Sequence, residues 1–98
     1  MTGSRLPSAV EMLRALVAIE TCDPPGREIE AALYIRGILE TNGIPVEIDE
    51  FLPGRTNLLA RVVGSGEKPP LVFSAHLDTV PVGRQPWSTA PFSGQVRN

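Results

Sequence analysis

From His76 to Asn98 the sequence keeps no hydrophobic period, and this limits most strongly what the chain can fold into. Five of the ten prolines, at positions 69, 70, 81, 86 and 91, fall in the last thirty residues. A stretch of this length without regular structure is a poor ending for a compact small domain. It points to a loop that carries chemistry, or to one that waits for further sequence. With 98 residues in all, one core is possible but modest, and much of the chain lies near the surface. Apolar residues make up 42% and charged residues 20%, which excludes wholesale disorder. A net charge of −2 leaves no electrostatic footprint for nucleic acid or an anionic membrane, so neither is expected as a partner. The single cysteine, Cys22, excludes an internal disulfide framework and a multi-thiolate zinc site. Met1 to Pro7 lacks the apolar run of a signal peptide, and Ala15 to Ile19 is far too short to span a bilayer. A cytoplasmic location is expected.

Ahead of the tail the periods are clear. Ser8 and Glu11 form the Ser-x-x-Glu pattern of a capping box, and Ala9, Met12, Leu13, Leu16 and Val17 follow as one apolar stripe at helical spacing. This helix is expected to end at Thr21-Cys22-Asp23, because Pro24 and Pro25 remove donors and push their predecessors out of helical geometry. A second helix opens near Arg27, with Glu28 and Glu30 opposing the positive end of the helix dipole. Ala31, Ala32, Ile35, Ile38 and Leu39 make its stripe, Gly37 suggests close packing, and Asn42-Gly43 supplies a left-handed stop.

The period then changes from helical to alternating. Val46 to Phe51 alternates apolar and acidic residues for most of its length, as a strand with one wet face does. Pro53-Gly54 marks a turn, and Asn57 to Val63 reads as a second strand ended by Gly64-Ser65-Gly66. The acidic first strand and the arginines at 55 and 61 suit antiparallel neighbours. Leu71 to Ala75 is apolar without alternation, which fits a third strand buried on both faces inside an α/β sheet. The expected order is helix, helix, strand, strand, strand and then a long site loop, with the sheet incomplete.

His76 and Asp78 stand where that third strand ends, and open α/β sheets gather their ligands at the carboxyl ends of strands. In extended chain, residues two apart project to the same side. A metal-bound imidazole usually donates its other N–H to a carboxylate, and a His-x-Asp pair can supply both parts. Taken alone, the pair fits an ordinary surface or satisfied core histidine beside a turn-opening aspartate better, and spacing by itself does not overturn that reading. Cys22 has no basic neighbour to activate it and reads as a small half-buried side chain. Trp87 reads as a loop anchor and Arg84 as a solvated loop residue. Gly64-x-Gly66 is followed by Glu67-Lys68-Pro69 and not by a helix start, which argues against a phosphate loop.

Five stretches taken in order carry a resemblance. Leu16-Val17-Ala18-Ile19 leads into Thr21-Cys22-Asp23-Pro24-Pro25-Gly26, and Asn42-Gly43 closes the second helix. Arg55-Thr56-Asn57-Leu58-Leu59-Ala60, Ser74-Ala75-His76-Leu77-Asp78-Thr79-Val80-Pro81, and Trp87 with Pro91-Phe92-Ser93-Gly94 follow. Together they resemble the zinc amidohydrolase and metallopeptidase family of acetylornithine deacetylase, succinyl-diaminopimelate desuccinylase, aminoacylase and glutamate carboxypeptidase. The likeness covers about residues 8 to 98 and is most specific around His76.

The resemblance implies that residues 1–98 are the N-terminal portion of an α/β zinc-peptidase-like catalytic domain, with the rest of that domain and a dimerisation domain absent. It implies that His76 ligates one ion of a two-zinc site, in which cobalt or manganese can also stand. Asp78, the catalytic candidate, would orient His76. The parent is expected to be a homodimeric hydrolase of deacylase or carboxypeptidase type. A metal-activated water would cleave the amide bond of an N-acyl amino acid or short peptide. Substrate-binding residues are not assigned, and the bridging aspartate, general base and remaining ligands of the family would fall past Asn98. On that ground the chain alone is expected to be inactive, and its ending on Gln95-Val96-Arg97-Asn98 suggests truncation. Isolated, such a piece would expose sheet edges, so marginal stability or aggregation is expected. Two alternatives stay open. One is a non-catalytic binding or regulatory module keeping part of the same scaffold, and the other is a small α+β domain without metal.

Overall fold

Helix α1 (Ala9–Ala18) starts where the capping box places it. The Glu11 N–H donates to Ser8 Oγ at 3.1 Å, and the Ser8 N–H donates to Glu11 Oε1 at 2.8 Å. The helix gives way at Ile19, which is extended, before reaching the expected Thr21-Cys22-Asp23. The backbone there has another use: the Thr79 N–H donates to Thr21 O at 3.0 Å, and the Asp23 N–H donates to Thr79 O at 2.9 Å. Those bonds need extended chain, so the tail ends the helix ahead of the proline pair. The computed structural model that shows this describes residues 6–97. Met1 to Arg5, carrying most of the segment read against a signal peptide, and Asn98 lie outside the described residues.

Helix α2 (Ile29–Thr41) begins two residues after Arg27, with Glu28 as its N-cap. The expectation that Glu28 serves the helix dipole from the first turn needs correcting. Glu28 makes no side-chain cap bond, and its carboxylate goes to Arg55. The helix stops as expected at Asn42, whose Nδ2 donates to Ile38 O at 2.8 Å, with Gly43 following at φ +77°. Gly37 meets nothing within 4 Å of where a Cβ would stand, so close packing does not explain it.

Strands β1 (Val46–Leu52) and β2 (Arg55–Ala60) form a two-stranded antiparallel sheet. The register runs from Val46 opposite Ala60 to Glu50 opposite Thr56, then slips so that Leu52 faces Arg55. The slip leaves Phe51 without a partner, as a bulge does, and a bulge re-aims its neighbours. Val46 and Ile48 are half-buried while Glu47 and Asp49 are exposed, so the alternation holds as far as the slip. Antiparallel pairing is as expected, but cross-strand charge is not its cause. Arg55 pairs with Glu28, Asp23 and Asp78, none of them on β1, and meets β1 through the Phe51 ring, 6.0 Å from its guanidinium. Strand β2 ends at Ala60, short of the expected Val63, so Arg61 lies beyond it. The turn is instead closed by the Gly54 N–H donating to Glu50 Oε2 at 2.8 Å.

Helix α2 packs on both strands, and its Ala31 and Ala32 are 2% and 0% exposed. Among the described residues no large side chain is fully buried, so this core is thin.

The third strand does not form. Leu71 to Ala75 makes no ladder, and Phe73 is 88% exposed. A strand covered on both faces needs a neighbouring strand and a layer on each side. Among the described residues the sheet consists of β1 and β2, and neither pairs with this segment. The radius of gyration, 16.0 Å, exceeds the roughly 13 Å of a compact domain this long, in keeping with a tail that does not fold back into a core. What stands is a small α/β unit of two helices and two strands, with residues 61–97 in irregular chain. No helix among the described residues is long and apolar enough to cross a membrane.

Candidate functional site

The irregular tail is pinned next to the candidate residues. Thr79 makes a parallel bridge to Cys22, and its Oγ1 lies 3.2 Å from Thr21 Oγ1. The Cys22 thiol adds a weak bond to Val80 O at 3.5 Å, so this cysteine is spent on the junction, as its half-buried reading implies. With Thr79 fixed, Asp78 stands at the seam between tail and body.

Asp78 faces two ways. The His76 Nδ1 lies 2.8 Å from the Asp78 backbone O and 3.1 Å from Asp78 Oδ1. Two acceptors opposite one ring nitrogen draw the proton of a neutral imidazole onto Nδ1 and leave the Nε2 lone pair to ligate. The His76 side chain is 85% exposed, so that nitrogen is open to an incoming group. The other oxygen, Asp78 Oδ2, lies 3.7 Å from Arg55 Nη2.

Arg55 is a hub that the sequence did not announce. Its Nε lies 2.7 Å from Glu28 Oε1 and 2.9 Å from Oε2, and its Nη1 lies 3.7 Å from Asp23 Oδ2. Glu28 is 4% exposed, and its Oε2 also receives the Thr56 N–H at 3.4 Å. The hydrogen bond to Glu28 is the largest influence raising the Arg55 pKa above its usual value. Burial opposes the rise, and the charges of Glu28, Asp23 and Asp78 add to it. A raised value for a cation means that its stabilisation is fully present below the ordinary arginine range and lost only above it, so Arg55 stays charged at every working pH. Sequence reading missed this hub because its members lie at 23, 28, 55 and 78, with no fixed spacing. The one local signal was Gly26 standing between the carboxylates of Asp23 and Glu28, which does not point to Arg55.

Gly26 has φ +78°, and a Cβ there would stand 2.5 Å from Arg55 Nε. Glycine is thus required twice, by the backbone and by the close approach of the guanidinium. Beside this cluster an open cleft of about 530 Å³ is lined by Ile35, Phe51, Asn57, Leu59, Phe73 and His76.

The donor set tests the expected metal. Among the described residues there is no group of three or more His, Cys, Asp or Glu side chains arranged to surround an ion. A zinc ion takes four ligands, three of them from protein in a catalytic site. The described residues therefore fit a metal at one coordination position, Nε2 of His76, and do not complete a site. Trp87 holds its own loop by donating to Val82 O at 3.1 Å, in keeping with an anchor. Arg84 is exposed.

Over 94 residues the chain is 28% identical to a succinyl-diaminopimelate desuccinylase of Vesicomyosocius okutanii subsp. Calyptogena okutanii (strain HA), covering 95% of this chain and 24% of that protein. Over 92 residues it is 33% identical to an acetylornithine deacetylase of Vibrio campbellii (strain ATCC BAA-1116), covering 89% of this chain and 24% of that protein. The chain thus spans about a quarter of the length of the curated relatives it matches. No protein-family model matches the chain. No solved structure matches it.

Proposed function

We propose that this chain is part of a metal-dependent hydrolase of the deacylase and peptidase type, to which it contributes one metal ligand, His76, and the carboxylate that orients it, Asp78. The observation that carries the reading is the His76 Nδ1 facing both Asp78 Oδ1 and Asp78 O, in a chain similar along most of its length to a desuccinylase and a deacetylase. A ligating imidazole backed by a carboxylate is the usual arrangement at protein metal sites.

Zinc, two ions in the complete protein with cobalt or manganese as substitutes, would supply an activated water for attack on the carbonyl carbon of an amide. The chain's own contribution is narrower. Asp78 holds the Nδ1 proton, which fixes the ring and makes Nε2 the more basic donor. The Thr79 bridge keeps both residues against the body of the unit. The substrate class is an N-acyl amino acid or short peptide, and the complete protein acts as a homodimer in the cytoplasm. The ligands that finish the site come from outside residues 6–97, so the chain alone is inactive.

Two measurements test this. In a protein carrying the whole catalytic domain, His76→Ala should remove most amide hydrolysis and metal, with a smaller loss for Asp78→Ala. Near-normal turnover of the His76→Ala protein at saturating zinc would end the assignment. Calorimetric titration of the 98-residue chain with zinc should show weak binding at most. Submicromolar binding abolished by His76→Ala would mean that more ligands are present than counted.

A further inference from the structure

The Asp78 carboxylate is half-exposed, and the oxygen turned away from His76 faces Arg55 Nη2. A carboxylate in such a place samples several rotamers, and only some present an oxygen to the ring. Arg55 is placed to restrict it. Its guanidinium is gripped through Nε by Glu28 and enclosed on another side by Gly26, which leaves Nη2 pointing toward Asp78 Oδ2 at 3.7 Å. An arginine can do this where a lysine cannot, because its planar fork offers separate N–H groups in fixed directions. One nitrogen serves the buried Glu28 while another serves Asp78. The chain of contacts runs from the start of α2, through the first residue of β2, to the tail.

We propose that Arg55 is a positioning residue, which holds Asp78 Oδ2 so that Oδ1 stays opposed to His76 Nδ1. The proposal rests on the reading of His76 and Asp78 given above, and adds to it the residue that couples them to the folded body. Because the pair at Asp78 is partly solvated, the effect is small in energy and specific in consequence. It alters which nitrogen of His76 carries the proton, without deciding whether the unit folds.

His76 is the only histidine, so its ring can be read without ambiguity. Nitrogen-15 NMR of the 98-residue chain near pH 9, where an ordinary imidazole is neutral, gives the ratio of Nδ1–H to Nε2–H forms. Folding is checked in each sample by amide protection across β1 and β2. Wild type should favour Nδ1–H. Arg55→Lys keeps a cation for Glu28 but cannot also reach Asp78, and should lower the ratio by about 2–5-fold with strand protection retained. Asp78→Ala should lower it by a similar factor or more, the backbone carbonyl of residue 78 remaining as acceptor. In the double variant, Arg55→Lys should add nothing to Asp78→Ala, because its influence passes through that carboxylate.

An unchanged ratio in folded Arg55→Lys, with a fall in Asp78→Ala, would overturn the role of Arg55 and leave the His76–Asp78 pair standing. A further fall in the double variant would equally overturn it, since Arg55 would then act by another route. A wild-type ratio already dominated by Nε2–H would remove both the proposal and the pairing beneath it. Should Arg55→Lys lose strand protection, raising the salt concentration on the wild-type chain provides the second arm. Salt screens the partly solvated Arg55–Asp78 ion pair far more than the hydrogen bond of a neutral imidazole, and a fall in the ratio is expected. No fall there would overturn the proposal.

Discussion

The segment from Glu28 to Ala60 and the segment from Arg61 to Arg97 both carry large apolar side chains, yet they end in opposite conditions. In the first, Ala32 is sealed at 0% exposure between a helix and a hairpin. In the second, Phe73 stands 88% exposed on a chain with no ladder. Side-chain hydrophobicity does not explain the difference, since phenylalanine has far more to gain from burial than alanine. What differs is the partner. Helix α2 is followed closely by two strands that can cover its stripe, whereas Leu71 to Ala75 finds no strand beside it among the described residues. The second segment is nevertheless held at Thr79, and the candidate residues lie directly before that point. The candidate residues thus stand where backbone pairing fixes the loop to the body.

The comparison is sharpened most by Glu28→Ala. It removes a buried carboxylate that receives Arg55 and the Thr56 N–H, and should produce the largest loss of stability of the variants considered, read from the urea midpoint. A midpoint equal to wild type would mean that the hub is ornamental to the fold. Next is Gly26→Ala, which forces a side chain into a left-handed position and against Arg55. An expected loss of about 1–3 kcal/mol follows from backbone strain alone. If that variant were as stable as wild type, the tight approach of Arg55 would be wrong.

A cap outside both segments should matter less. Ser8→Ala removes the acceptor for the Glu11 N–H and should cost about 1 kcal/mol, seen as reduced helicity by circular dichroism with β1 and β2 still protected. Loss of strand protection in that variant would show that α1 is coupled to the sheet. Smallest of all is Phe73→Ser, expected within about 0.5 kcal/mol of wild type in the same urea experiment, because the ring buries little in this chain. A loss as large as that of Gly26→Ala would place Phe73 inside a core and erase the contrast between the two segments.

Much of the two helices and the hairpin was legible. The Ser8 cap, the alanines of α2, the Asn42-Gly43 stop and the antiparallel hairpin all follow from local chemistry acting within a few residues. The boundary of α1 was not, because Thr79 competes for its backbone from far along the chain. The third strand was readable as an apolar run but not as an exposed one, since a run states what a segment prefers and not what lies next to it. At the candidate site, His76 and Asp78 were visible as a two-residue spacing. Their mutual hydrogen bond, and the reach of Arg55 to one of them, were not.

By itself, then, the sequence determined the helices, the hairpin and the nearness of His76 to Asp78, because each depends on contacts spanning few residues. Only the tertiary structure decided that Glu28 would serve Arg55 instead of its own helix, that Gly26 would make room for the guanidinium, and that Thr79 would tie the tail to Thr21 and Asp23. Those pairings join groups far apart in the chain. Charge and hydrogen-bonding capacity make such partners possible, but only the packing of α2 on the hairpin brings them within reach.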